Sequence, residues 1–165
     1  MTAIEFIVAA LEFSGRGMEG LVADLDGADL VAAPTSRGGN HALWVIGHLA
    51  VSEASIVGRF IKGQEPALKE WQSLFGLGSQ PTSDLSKYPA KAELLKKSQA
   101  VRQETLDLLR SLSEKDLDKP TSVQQNQELF GTIGRCLVTM VHHQAFHLGQ
   151  IAVVRRALGR KPAFA

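Results

Sequence analysis

Apolar side chains recur every three to four residues over most of the chain, which is the spacing of helices with one buried face. The first such stripe spans Ile4–Leu25, and Thr2 stands before it as a suitable N-cap. Residues 34–39 are rich in helix breakers and precede Asn40. Asn40 is the expected N-cap of a second helix that runs to Ile61.

The next segment, Gln64–Pro89, is punctuated by proline and glycine and leaves room for one short helix at Ala67–Phe75. Its large apolar side chains, Trp71, Phe75 and Tyr88, argue against disorder, because they would otherwise lie in water. Two roles are open for Trp71 and Phe75. They either cover one end of the protein and shape an apolar pocket, or anchor a long loop.

The remaining pattern predicts a third helix over Ala90–Leu112, a short helical turn at Ser113–Leu117 and a polar stretch, Ser122–Glu128. A fourth helix is predicted over Thr132–Leu158 and stops at Gly159. No segment alternates with the period of a β-strand. The sequence therefore predicts an all-α fold, a four-helix bundle in one domain over residues 1–165, with a long, partly helical connection between helices 2 and 3.

Charge and composition exclude several classes of protein. The 165 residues carry 18 Lys and Arg against 17 Asp and Glu, a net charge of +1, without a basic run that would bind nucleic acid or anionic lipid. Mainly apolar stretches such as Ile4–Leu11 are too short to span a bilayer. The single cysteine, Cys136, excludes an internal disulfide and a multi-cysteine metal site. We expect a cytoplasmic protein with no nucleic-acid or membrane partner.

Three of the five histidines fall within residues 142–147 of the fourth helix. His143 and His147 lie about 40° apart on one helix face, the apolar one that also carries Met140 and Ile151. Two buried imidazoles need polar partners, and a divalent ion such as zinc satisfies both at once. His142 points about 100° away from His143 and is expected at the surface.

A third ligand is expected from another helix, and His48 is the natural one. It lies at the edge of the apolar stripe of helix 2, beside Ser52, where a side chain can reach across to a neighbouring helix. His41 precedes it by two turns, about 10 Å, so both cannot bind one ion. We expect His41 at the surface or hydrogen-bonded to a ligand residue.

These residues resemble the DinB-like superfamily, including relatives of bacillithiol transferases and mycothiol-dependent enzymes. The resemblance rests on the phrase Asn40–Ala50, on His143-x-x-x-His147 with the following residues 148–151, on the tail 155–159, and on the stretch between Trp71 and Pro89. It covers nearly the whole chain.

The resemblance implies a four-helix bundle, commonly a homodimer, that holds a zinc or nickel ion with His48, His143 and His147. Some relatives transfer low-molecular-weight thiols onto electrophiles. The implied function is a metal-dependent thiol S-transferase with a small-molecule substrate and a thiol cosubstrate.

Three histidines leave the coordination sphere of a divalent ion open to water or substrate, whereas a structural zinc usually has four protein ligands. The ion could activate water for hydrolysis or ionise a bound thiol, and the residues alone do not choose. A metal-binding stress or interaction protein without catalysis is the alternative. No carboxylate suggests itself as a general base, since Glu53 lies about 140° from His48 around helix 2.

Gln150 lies on the ligand side of helix 4 and is expected either to hydrogen-bond a ligand imidazole or a bound water, or to make an ordinary polar contact. Cys136 is two turns from His143 and is expected to be a small core residue. Arg155, Arg156 and Arg160 either bind an anionic substrate tail or complement the end of the helix.

Overall fold

Helix α1, Ala3–Val22, begins at its predicted N-cap in the computed structural model, which describes residues 1–124 and 126–162. The Thr2 hydroxyl accepts the Glu5 amide at 3.1 Å, and the Glu5 carboxylate accepts the Thr2 amide at 2.8 Å. This capping box satisfies two amides that the helix itself leaves without partners. The helix ends before the expected Leu25, and an unpredicted 3₁₀ turn follows at Gly27–Val31.

Helix α2 spans Ala42–Ser55, and its N-cap is His41, so the prediction of Asn40 is wrong. The His41 ring accepts the Trp44 amide through Nδ1 at 3.1 Å, whereas the Asn40 side chain is engaged elsewhere, with Gln150. The chain continues from α2 as a π-helix over Ile56–Ile61, with wider turns than the predicted α-helix.

The connection after α2 is partly helical, as predicted. A 3₁₀ turn at Lys69–Trp71 leads into the short helix α3, Gln72–Phe75. Trp71 and Phe75 are buried in the core, and a β-carbon at Gly47 would lie only 2.4 Å from the Phe75 ring. The two aromatic side chains therefore anchor the connection, and Gly47 is the residue that admits Phe75 against α2.

The second half of the chain follows the prediction closely. Helix α4 spans Lys91–Ser111, and a 3₁₀ turn follows at Glu114–Asp118. Helix α6 spans Ile133–Ala157 and is capped by Thr132, as expected. The short helix α5, Gln127–Phe130, was not predicted and begins within the last two residues of the predicted polar stretch Ser122–Glu128. In the described residues, β-structure is limited to two isolated bridges, so this part of the chain is all-helical.

The four long helices pack against one another, α1 and α2 each contacting α4 and α6. They enclose two apolar cores, one around Leu43, Ile46 and Ile151 and the other around Leu11 and Leu137. Between them lie buried or partly buried polar side chains that we call the polar layer: Ser14, Glu53, Arg102, Thr105 and Gln144. Along α6, the candidate histidines occupy the same level as this layer.

Helix α2 with its π-helical extension, Ala42–Ile61, is long and apolar enough to cross a membrane by length and composition alone. The expectation that every apolar stretch is too short was therefore wrong. Of the most apolar 18-residue stretch of this helix, 67% is buried inside the protein. A core helix meets the same test, and the burial assigns this helix to the core.

Candidate metal centre

Three histidine side chains meet between α2 and α6. The His143 Nε2 atom lies 3.2 Å from His48 Nε2 and 3.1 Å from His147 Nε2. One nitrogen of each ring lies within 4.8 Å of the other two. His48 and His147 are buried and His143 is partly buried. The structure thus brings together the three residues that the sequence singles out, and leaves His41 and His142 outside the group.

The outer nitrogens of two rings are fixed by carbonyl oxygens. His48 Nδ1 donates to the Phe75 backbone carbonyl at 2.7 Å, and His147 Nδ1 donates to Gln150 Oε1 at 2.9 Å. The same Gln150 oxygen accepts from Asn40 Nδ2 at 3.0 Å. Because a carbonyl oxygen only accepts hydrogen bonds, both rings carry their proton on Nδ1 and turn the Nε2 lone pair inward.

When the three rings are neutral, hydrogen bonds among them cannot satisfy all three Nε2 atoms. His143 Nε2 contacts two inward-facing lone pairs, and the one hydrogen it can carry reaches only one of them. A cation is attracted by all three lone pairs. Two nitrogens bound to one divalent ion lie about 3.0 Å apart in octahedral and about 3.3 Å apart in tetrahedral geometry. The observed 3.1 and 3.2 Å separations fit this range, so the donor set fits a divalent metal.

Burial keeps the three imidazoles neutral. It is the main cause that lowers the pKa of His143 to about 4, and the nearby His147 and His48 rings lower this pKa further. Burial likewise lowers the pKa of His48 and of His147, and in His147 the neighbouring His48 adds to the effect. The neutral ring is the form that binds metal, so at neutral pH the group needs no deprotonation before an ion enters.

The lowered pKa values predict a pH dependence for the metal-free protein. Between about pH 6.5 and pH 4 the unfolded chain binds protons that the folded histidines do not, so the free energy of unfolding falls as the pH falls through this window. Urea denaturation at a series of pH values, in the presence of a chelator, measures it. His143→Gln should flatten the dependence, and the exposed His142→Gln should not. An equal slope in all three proteins would contradict the prediction.

A cavity of about 620 Å³ opens beside the histidines. His48 and His143 line it, together with the side chains that extend along the same face of α2 and its π-helical extension. Its walls are mostly apolar, and several hydroxyl and amide groups and one guanidinium interrupt them. Besides the two histidines, the lining residues are Ser52, Ile56, Arg59, Phe60, Leu77, Ser122, Val123, Gln124, Asn126, Phe130 and Thr139. Among these described residues there is no carboxylate. The cavity is large enough for a small organic molecule in contact with the centre.

Comparison with known proteins decides the family. The family model of the DinB superfamily matches residues 10–151, which is most of the chain. The chain belongs to the DinB superfamily. A crystal structure of a conserved protein from Enterococcus faecalis is similar at 18% sequence identity, with a TM-score of 0.76, and the match covers 97% of this chain and 99% of that one. At this identity the likeness concerns the fold. A comparison with curated proteins finds no match.

In this member of the DinB superfamily, His41 has a structural role. The prediction that it lies at the surface is wrong. Only 2% of it is exposed. Besides capping α2, its Nε2 atom lies 3.0 Å from the Thr82 carbonyl oxygen and 3.3 Å from the Tyr88 hydroxyl. It therefore ties the long connection to the start of α2. His142, in contrast, is exposed, as predicted.

Other candidates also have structural roles in this DinB-superfamily chain. Cys136 is fully buried in the second core, and burial raises its thiol pKa to about 11, so it is a core residue as predicted. Arg155 is buried and bonds to Asp24 and to the Leu21 carbonyl, and Arg160 pairs with Asp29 at 2.5 Å. These two arginines tie the end of α6 to the segment after α1.

The sequence gives no signal for two features of the centre. The acceptor for His48 is a backbone carbonyl, that of Phe75, which any residue type could supply. Gln150 does hydrogen-bond a candidate ligand, one of its two predicted roles, but its link to Asn40 depends on how the start of α2 meets α6. The predicted homodimer and cytoplasmic location stay predictions.

Proposed function

We propose that this DinB-superfamily chain binds one zinc or nickel ion through His48, His143 and His147 and acts as a metal-dependent thiol S-transferase on small electrophiles. The carrying observation is the set of three Nε2 lone pairs that converge at 3.1 and 3.2 Å at the edge of the cavity. The proposal also takes the four long helices as a four-helix bundle, which their mutual packing supports.

Three protein ligands leave room for an exogenous ligand from the cavity. A divalent ion held there supplies a Lewis acid that ionises a bound thiol at neutral pH. The protein's own part is to orient the rings: Phe75 and Gln150 hold the Nδ1 protons of His48 and His147, so that both Nε2 atoms face the centre.

Glu53 supports thiol chemistry over hydrolysis. It is the buried carboxylate of α2, and both of its oxygens are occupied by Arg102 at 2.8 Å, with Gln144 bonded to one of them at 3.0 Å. It therefore offers no free general base, and no carboxylate is among the described cavity-lining residues. Activation of water usually needs such a base, whereas a thiol is acidic enough to ionise without one.

The nucleophilic sulfur has to come from a cosubstrate, because the one cysteine is fully buried in the core with a raised pKa. In the proposed reaction the S–H bond of a low-molecular-weight thiol breaks and its proton passes to solvent. A bond then forms from the sulfur to an electrophilic carbon, whose leaving group departs with the bonding electron pair.

The test is a panel of small thiols with chlorodinitrobenzene as the electrophile, assayed on protein from metal-replete growth. We expect thiol-dependent chloride release by the wild type, its loss in His147→Ala, and its retention in the exposed His142→Ala control. A stoichiometric ion without turnover for any thiol would contradict the transferase and favour a non-catalytic metal-binding protein. Ester hydrolysis without thiol would instead favour a metal-dependent hydrolase.

A further inference from the structure

Arg59 stands out among the residues around the cavity. Of those that the structure describes there, it is the one with a formal charge at neutral pH. It lies in the π-helical segment Ile56–Ile61, and Ile56 and Phe60 of the same segment also line the cavity. π-helical turns are rare and are often found at functional sites. This one presents a cation to the cavity that contacts His48 and His143.

No acidic side chain among the described residues forms a salt bridge with the Arg59 guanidinium. Over residues 1–124 and 126–162, four arginines form salt bridges, among them Arg102 with Glu53 and Arg155 with Asp24, and Arg59 is among those that form none. Its contact with Ser122 uses the Arg59 backbone carbonyl, so the side chain stays available. An unpaired guanidinium beside an apolar wall is suited to a planar anion such as a carboxylate.

We propose that Arg59 anchors the carboxylate end of the ligand whose thiol reaches the three-histidine centre, which makes the cosubstrate an anionic thiol. This inference rests on the proposed function. His48 and Arg59 are separated by at most about 16 Å along the helix axis at 1.5 Å per residue. The side chains of His48 and Arg59 each cover part of this distance, so the ligand between them is shorter than the helix segment, and we choose an eight-carbon chain as the probe.

The cavity supports this orientation of the ligand. A carboxylate near Arg59 and a thiol near His48 and His143 place the middle of the ligand along Ile56 and Phe60, which are apolar. A cationic tail would meet the guanidinium with a like charge and no described acidic group to offset it. The arrangement therefore discriminates by the charge at the far end of the thiol.

The experiment uses cobalt-substituted protein, in which a thiol that reaches the ion produces a sulfur-to-cobalt charge-transfer band. Mercaptooctanoate and mercaptooctanol have equal length and differ in the terminal charge. We expect the wild type to bind mercaptooctanoate about tenfold more tightly than mercaptooctanol, since a charge-assisted hydrogen bond is gained. Added salt should reduce the preference, because the guanidinium is solvent-exposed.

Variants of Arg59 show whether the preference for mercaptooctanoate comes from this guanidinium or from a general change in the cavity. Arg59→Gln should remove the preference and leave mercaptooctanol binding unchanged, whereas Arg59→Lys should retain much of it. The control, Arg156→Gln, removes an exposed arginine from α6, which does not line this cavity, and should retain the full preference. The cobalt ligand-field bands report whether each variant keeps the centre intact.

Each failure has a separate meaning. Equal affinity of the wild type for both thiols, or an unchanged preference in Arg59→Gln, would overturn the anchoring role and leave the proposed function standing, because thiol still reaches the ion. If neither thiol produces the charge-transfer band, both the proposed function and this inference are overturned.

Discussion

Replacing Arg102 by methionine is expected to lower the free energy of unfolding by about 3–5 kcal/mol, the cost of leaving a buried charge without its partner. The Arg102 Nε and Nη2 atoms each lie 2.8 Å from a Glu53 carboxylate oxygen, and only 4% of the Glu53 side chain is exposed. Arg102 also bonds to the Leu11 carbonyl, so this one side chain on α4 links α1 and α2. Urea denaturation of the metal-free protein at pH 7 measures the change.

The matched control is Arg110→Met, on the same helix. Arg110 is about half exposed, and its ion pairs with Glu12 and Asp107 lie at the surface, where they contribute less than about 1 kcal/mol. The double variant Arg102→Met with Glu53→Leu should be more stable than Arg102→Met alone, because it buries no unpaired charge. A loss in Arg102→Met no larger than in Arg110→Met would contradict the role of the polar layer.

Replacing His143 by alanine is expected to weaken divalent metal binding at least a hundredfold. Loss of a residue that only orients a ligand costs about 10–100-fold in affinity, and His143 is itself a proposed ligand. Its Nε2 atom is also the one in contact with both other rings. Competition with a chromogenic chelator measures the dissociation constant for zinc and for nickel.

The control for this prediction is the neighbouring His142→Ala, which removes an exposed imidazole and should leave the affinity unchanged. Far-UV circular dichroism on both variants shows whether the helices are retained. An unchanged affinity in His143→Ala, or an equal loss in His142→Ala, would contradict the assignment of the ligands.

The sequence predicts the long helices and the meeting of the three histidines because both depend on helical periodicity. The face of α6 that carries Met140 and Ile151 must be buried, and His143 and His147 share it. His48 could be chosen because its helix also had to pack against the core. The pairing of His143 with His147 needs only the angle between side chains on one helix, and the choice of His48 needs in addition that the two apolar faces meet.

Features that depend on contacts between distant segments could not be predicted in the same way. His41 was misplaced because its burial depends on contacts with Thr82 and Tyr88, which are 41 and 47 positions away. The polar layer likewise joins Glu53 to Arg102 and Gln144 from three helices. Composition offers no signal for such pairs, since buried charges are recognised only once their partners are known.

The most direct test of the central claim is X-ray absorption spectroscopy on protein purified without chelator from metal-replete growth, combined with elemental analysis. The account predicts about one zinc or nickel ion per chain, with three imidazole nitrogens at about 2.0–2.1 Å and at least one further light-atom ligand. The variant in which His48, His143 and His147 are all alanine should contain none. Wild-type protein without a stoichiometric ion, or an ion retained by the triple variant, would contradict the claim that these three histidines form a metal centre.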